Sequence, residues 1–458
     1  MTLRSPADPI SALATPTASS ALAVIRVSGS GSLELLVPLV DGALDPVNAR
    51  GHSLHRCILK DAGEPVDEVM LAVYHAPRSF TGEDSAEIFC HGSLPVIARL
   101  LSLLGRSGFR PAGPGEFTQR AFLNGRMGLT QAEAVNEIVR ARTDRARGLA
   151  LQRLGGAIEG RVRQVRDALV DLRASLEVQI DYAEDRDADS MDPQGAAPVD
   201  LSILDDTEQS LQSLVRSYRQ GRVYQEGATV AIAGATNAGK SSLFNVLLRQ
   251  DRAIVSEVHG TTRDWLEGTA SIEGIPVRLV DTAGLRESRD PLESEGIRRT
   301  RELISSADAV LYLVDGTRGI QGDDRRFLDG WEGPGELVRA WNKSDLSAAA
   351  AAPAGFLPVS AVSGQGLPDL ERAVAAAALG GAPEDSSQPL VDSERQRDLL
   401  SRALDALGRL RRAARDGATP DLLAVDLADA LDAVGEITGE VTTAEILDKM
   451  FSRFCVGK

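Results

Sequence analysis

The chain has 458 residues, 43% of them hydrophobic and 25% charged, which is the composition of an ordinary soluble globular protein with about three domains at roughly 150 residues each. A net charge of −16 and a pI near 4.9 argue against nucleic-acid binding through a diffuse positive field. Three scattered cysteines, Cys57, Cys90 and Cys455, give neither metal-ligand spacing nor a disulfide framework, and no apolar run approaches the ~20 residues of a membrane span, so a reducing, cytoplasmic setting without export is expected.

Residues 1–120 hold short β-branched runs, LAVIRVSG at 22–29 and EVMLAVYHAP at 68–77, separated by Gly and Pro clusters, which predict a small α+β domain. From Thr130 the pattern turns helical. Leu151, Leu154, Ile158, Val162, Val165, Leu169, Leu172, Leu176 and Ile180 step by three and four and predict one sustained bundle helix. Residues 140–173 hold nine arginines against four acids, a local balance of +5 that suits a solvated helix face or a secondary RNA contact. The acidic DYAEDRDADSMDPQG at 181–195 reads as an exposed loop, followed by a helix near 204–220. A βα alternation then runs to the alanine-rich 372–379, GGAPEDSSQP at 380–389 reads as a linker, and leucine-striped helices return. Thr442-Thr443-Ala444-Glu445 reads as a capping box opening a last helix. Helical blocks on both sides of an α/β block imply an insertion: residues 1–122 form one domain, 123–221 with 385–458 a helical domain, and 222–384 the inserted domain.

The inserted block opens with TVAIAGATNAGKSSLFNVL at 229–247, an apolar strand, a glycine-bounded loop and a helix. This is G-x-x-x-x-G-K-S in its strand-loop-helix setting: backbone N–H groups and a helix N-terminus surround a phosphate, Lys240 adds a point charge, and Ser241 can ligate Mg²⁺. Asn237, Ala238, Gly239 and Ser242 complete that loop's candidate contacts. The strand VRLV at 277–280 leads into Asp281-Thr282-Ala283-Gly284, an acid placed to hold the metal through water and a glycine whose N–H can reach a γ-phosphate. After the strand VLYLVDGT comes Asn342-Lys343-Ser344-Asp345, whose aspartate can accept two hydrogen bonds from guanine, and Ser360-Ala361 would close the base pocket. In this order the four signals specify a GTPase. Thr262, in SEVHGTTRD, is placed to ligate Mg²⁺ as well, and with no arginine in a finger position, Asn237 and a loop at 256–261 could hold a monovalent cation instead.

These motifs, with GTTRD at 260–264, DTAGLRES at 281–288, LESEGIRR at 292–299, SFTGEDSAEIFCHG at 79–92, RPAGPGEFTQRAFLNGRMGLTQAEAV at 110–135 and the terminal FCVGK, resemble the MnmE (TrmE) family over nearly the whole chain. The resemblance implies a multidomain fold with an α+β N-terminal domain, a helical-bundle domain and an inserted α/β P-loop GTPase (Ras-like) domain. It implies a homodimer through the N-terminal domain, working with an FAD-binding MnmG-type protein in a heterotetramer to place a carboxymethylaminomethyl or aminomethyl group on carbon 5 of a tRNA wobble uridine. A tetrahydrofolate derivative, 5,10-methylene- or 5-formyl-tetrahydrofolate, would be the one-carbon donor, held by Arg26, Glu87, Arg126 and Lys458. Asn237, Ser256, Thr261 and the Val258 carbonyl match the family's K⁺ site, and Glu293 its water-orienting carboxylate. Cys455 is a further candidate for chemistry, although a lone cysteine is more often inert packing. A regulatory or ribosome-assembly GTPase is the alternative reading; it would need neither the N-terminal blocks nor the tail.

Overall fold

The computed structural model describes residues 8–42, 44–184, 201–250, 266–281, 302, 304–346, 349, 351–381 and 388–457. It divides into two compact units, one of Met1–Asn136, Leu154–Glu159 and Gly435–Lys458, the other of Glu137–Arg153 and Gly160–Val434.

In the first unit, β1 (Ile10–Leu13), β2 (Leu22–Ser28), β3 (Ser53–Asp61), β4 (Glu64–Tyr74), β5 (Ser85–His91) and β6 (Arg110–Pro111) form one sheet in the order β3-β4-β5-β2-β1-β6. All pairings are antiparallel except β1 with β6. Strand alternation sends Ala23, Ile25, Val27, Leu71, Val73, Ala86 and Ile88 to one face, where they meet α1 (Ser32–Leu36) and Leu100, Leu103 and Leu104 of α2 (Leu94–Arg106). Cys57 and Cys90 lie in this core, and burial pushes both thiols up to about 11, beyond nucleophilic use at neutral pH. The opposite face carries Leu22, Val24, Arg26, Met70, Glu87 and Phe89, with Leu22 53% and Leu54 of β3 55% exposed.

Helices α3 (Glu116–Leu123) and α4 (Leu129–Arg140) follow, and α13 (Ala444–Phe451) returns to them. Leu129 and Ala132 pack with Leu447, Phe451 and Phe454. The last helix is capped one residue later than the sequence pattern suggests: the Thr443 hydroxyl, not that of Thr442, accepts the Ile446 N–H. The tail beyond it runs along the first domain, with Val456 bridging Pro114 and the Cys455 carbonyl accepting the Gly115 N–H.

Helices α5 (Asp144–Leu154) and α6 (Ala157–Glu184), most of whose residues belong to the second unit, are separate, so the expected single helix is corrected. Gly155 and Gly156 break it, Gly156 at φ 86°, and Leu151 is 44% exposed; the buried stripe begins at Ile158 and runs through Val162, Val165, Leu169, Leu172 and Leu176. The helix also continues through Glu184, into the stretch expected to be loop, and α7 extends over Leu201–Glu226. Among α11 (Glu394–Arg415) and α12 (Pro420–Thr438), Arg402 and Arg409 pair with Asp426 and Asp429, while Arg411 pairs with Asp205 and Glu208 of α7. These arginines join helices. Arg153, 2% exposed, pairs with Glu137 and Asp392 and so ties α5 to the segment leading into α11.

The other sheet has the order β12-β11-β10-β7-β9-β8, from β7 (Ala228–Gly234), β8 (Leu266–Ile272), β9 (Ile275–Asp281), β10 (Ala309–Asp315), β11 (Glu336–Asn342) and β12 (Leu357–Pro358). Only β8 is antiparallel. A parallel sheet is covered on both faces, and β10 is buried at every residue. Val230, Ile232, Leu279 and Leu311 face α8 (Lys240–Gln250) and α10 (Leu367–Leu379); Ala231, Val310 and Tyr312 face Phe327 of α9 (Gly322–Asp329).

Candidate functional site

The parallel strands end together. Register places Asp281 opposite Ile232, Gly234 opposite Leu313, and Asn342 opposite Asp315, so β7, β9, β10 and β11 deliver their C-terminal residues to one edge. Strand β7 lies between β9 and β10, which leave in opposite directions across the sheet, the switch point at which open α/β sheets form a crevice.

Two glycines are required there. Gly234 (φ 139°) would bring a Cβ to 2.2 Å from the Leu313 carbonyl oxygen, and Gly239 (φ 96°) would bring one to 2.2 Å from Asn342 Nδ2. A side chain at Gly234 would push the loop off the strand backbone, and one at Gly239 would displace the Asn342 amide. Between them Asn237, exposed and at φ 66°, forms the loop tip, while Ala238 is fully buried. Lys240 folds back, its Nζ donating to the carbonyls of Gly234 and Ala235 at 2.8 Å each. Burial lowers its pKa, opposed by the charge of Asp281. The Ser241 hydroxyl donates to Asp281 Oδ2 at 2.9 Å, and Ser242 is exposed beside it. A hydroxyl and a carboxylate meeting at the mouth of a phosphate loop form the oxygen donor set that suits Mg²⁺.

On the other side of the crevice, Asn342 is 2% exposed and acts as a strut: its Nδ2 donates to the Ala238 carbonyl at 2.7 Å, and its Oδ1 accepts the Ala361 N–H at 3.3 Å. This side chain joins the phosphate loop to the Ser360-Ala361 loop. Ser360 is fully buried and its hydroxyl accepts the N–H groups of Val362 and Ser363, which turns that loop. Lys343 is held at φ 65°, its Nζ 2.6 Å from Asp315 Oδ2, and Asp345 is exposed at the rim. Ser256, Val258, Thr261, Thr262, Thr282, Ala283, Gly284, Glu293 and Lys458 lie outside the described residues.

A second cluster forms in the first unit. Arg26 and Glu87 face each other across β2 and β5, Nε to Oε1 at 2.7 Å, and Arg26 Nη1 donates to the Gly457 carbonyl at 3.1 Å. Sequence and tail thus converge on one guanidinium. Arg126, exposed on the loop after α3 beside Gly82, shares no hydrogen bond or ion pair with either among the described residues. Cys455 is exposed. Asp315, Thr317 and the Gly457 carbonyl were not anticipated; the only prior signal for Asp315 was its place at the end of a buried strand.

Among the described residues no helix is long and apolar enough to cross a membrane, and no group of three His, Cys, Asp or Glu residues could hold a metal. The family model for the GTP-binding protein TrmE N-terminus matches residues 9–126, and that for the MnmE helical domain matches residues 129–455. The chain is 39% identical to a protein of Syntrophus aciditrophicus over 98% of its own length and 99% of the relative's. It is 41% identical to one of Treponema denticola, with 98% of each covered, and 38% identical to one of Aquifex aeolicus, with 98% of this chain and all of the relative covered. Each relative bears the name tRNA modification GTPase MnmE. With a family model matched over well over half of its residues and such relatives spanning it end to end, the chain belongs to the MnmE family.

Proposed function

We propose that this protein is a GTP-hydrolysing tRNA-modification enzyme. With an FAD-dependent partner, it adds a carboxymethylaminomethyl or aminomethyl group to carbon 5 of a wobble uridine, using a tetrahydrofolate one-carbon unit. The observation that carries the GTPase half is the convergence of Lys240, Ser241 and Asp281 on one side of a crevice whose other side, Lys343 and Asp345, is joined to it by Asn342. On this reading Lys240 exchanges its two carbonyl acceptors for phosphate oxygens, and Asp345 reads the guanine edge. Ser241 and Thr262 would hold Mg²⁺, which supplies charge neutralisation across the phosphates when bound. Asn237, Ser256, Thr261 and the Val258 carbonyl would hold K⁺, and Glu293 would orient the attacking water.

The folate half is supported by the Arg26–Glu87 pair and its tie to the tail: a pterin has a donor edge that suits a carboxylate, and arginines suit an anionic glutamate tail. Arg126 and Lys458 complete that proposed site, with exposed Cys455 nearby in sequence as a candidate for chemistry. The exposed apolar residues Leu22, Leu54 and Met70 on the outer sheet face support a homodimer through the N-terminal domain. We assign that domain to 1–122, the helical domain to 123–221 with 385–458 and the G domain to 222–384, and place the protein in the cytoplasm in a heterotetramer with an MnmG-type partner and tRNA. The test is GTP turnover in K⁺ against Na⁺ buffer for wild type and Glu293→Ala. K⁺ stimulation, lost with kcat but not with GTP affinity in the variant, is expected. Equal turnover in both salts would remove the cation site, and a wild-type rate in the variant would remove Glu293.

A further inference from the structure

We propose that Asp315 is the positioning residue of the base pocket: it fixes Lys343 through the 2.6 Å Nζ–Oδ2 contact, and so sets GTP affinity without touching the nucleotide. The inference rests on the assignment of this crevice as the GTP site.

The carboxylate is itself oriented. Its Oδ1 accepts both the backbone N–H of Thr317 at 2.9 Å and the Thr317 hydroxyl at 2.6 Å, leaving Oδ2 for the ammonium. The turn that carries it is locked to the strand that carries Lys343. Asp315 and Asn342 are register partners, the Gly316 N–H donates to the Asn342 carbonyl at 2.9 Å, and a Cβ on Gly316 would lie 2.8 Å from that oxygen and 2.6 Å from Trp341 Nε1. Asp315 is 8% exposed, and the Lys343 side chain 31%. A lysine stem has four rotatable bonds and an ammonium that would otherwise follow water. Held at its end by Asp315 and at its base by a left-handed backbone, φ 65°, the stem is fixed beside Asp345, so that its methylenes can cover one face of a planar base while its charge stays paired. The competing explanation is that Asp315 serves only its own turn through Thr317.

Asp315→Asn separates the two. The amide oxygen can still accept both Thr317 donors, but an NH₂ group facing an ammonium cannot replace Oδ2. In the full-length protein, the affinity for a fluorescent GTP analogue should fall about tenfold, the lower end for a charge-assisted bond because the lysine is partly exposed, with single-turnover hydrolysis at saturating GTP changed less than twofold. Lys343→Met should weaken binding similarly, and the double variant no further than either alone. Asp315→Asn binding GTP like wild type while Lys343→Met is weakened, or additive losses in the double variant, would overturn the proposal and leave the GTP site standing. Wild-type binding in Lys343→Met would instead overturn the role of Lys343 in the pocket. Loss of thermal stability with unchanged GTP affinity in Asp315→Ala, which removes the acceptor for both Thr317 donors, would overturn the proposal and assign Asp315 to its turn alone.

Discussion

Asn342→Ala should separate pocket architecture from base reading. The side chain is buried and satisfies two backbone groups on different loops, the Ala238 carbonyl at 2.7 Å and the Ala361 N–H at 3.3 Å. Truncation leaves both without that partner. A buried group left unsatisfied costs about 1–3 kcal/mol; the short bond belongs in the middle of that range and the long one at its foot, giving about 3 kcal/mol for the pair. If roughly two thirds of it falls on the shape of the nucleotide-bound crevice, affinity drops by about thirtyfold, since 1.4 kcal/mol is one decade. The assay is titration with a fluorescent GTP analogue, paired with urea unfolding to read the remainder as lost stability. GTP affinity within twofold of wild type, with stability also unchanged, would refute the reasoning that this side chain holds the two loops together.

Two further outcomes follow from the geometry. Burial alone would raise the pKa of Glu116, but the hydrogen bonds from Arg110, the Gly113 N–H and Arg120, with the charge of Arg120, outweigh it and hold the carboxyl at about 2 against an ordinary 4.5. A depressed folded-state value contributes stability above the unfolded pKa and loses it as pH falls, so unfolding free energy should decline by about 3 kcal/mol between pH ~4.5 and ~2, a slope that Glu116→Gln flattens in pH-dependent urea melts. Asp345→Asn should shift preference from GTP to xanthosine triphosphate, because an amide donates where the carboxylate only accepts; competition binding with the two nucleotides checks it.

The phosphate loop was legible because its chemistry is local. Gly234 is demanded by its approach to the Leu313 carbonyl and Gly239 by its positive φ beside the Asn342 amide, and Lys240 and Ser241 follow at fixed spacing. The junction between α5 and α6 was not, because Leu151 and Leu154 continue the 3.6-residue pattern of Ile158 across Gly155-Gly156, and periodicity does not record that Leu151 faces outward. The cap shifted from Thr442 to Thr443 because adjacent threonines have equal chemistry and backbone geometry alone decides between them. Asn342 and Asp315 show a different limit. Their residue types announce hydrogen bonding, but the partners, Ala238, Ala361, Lys343 and Thr317, come from segments that only the sheet register aligns. Likewise FCVGK is a recognisable tail, whereas the contact between Arg26 and the Gly457 carbonyl, 431 residues apart in sequence, is a property of the folded unit.

The most direct test of the account is mass spectrometry of wobble uridines in tRNA from cells lacking this gene and from the same cells carrying it as wild type or Arg26→Ala. The wild-type gene is expected to restore carbon-5 carboxymethylaminomethyl or aminomethyl uridines. Arg26→Ala should fail to do so while its purified protein hydrolyses GTP at the wild-type rate. Unchanged wobble uridines in cells without the gene would contradict the tRNA-modification function, and full restoration by Arg26→Ala would contradict the N-terminal site.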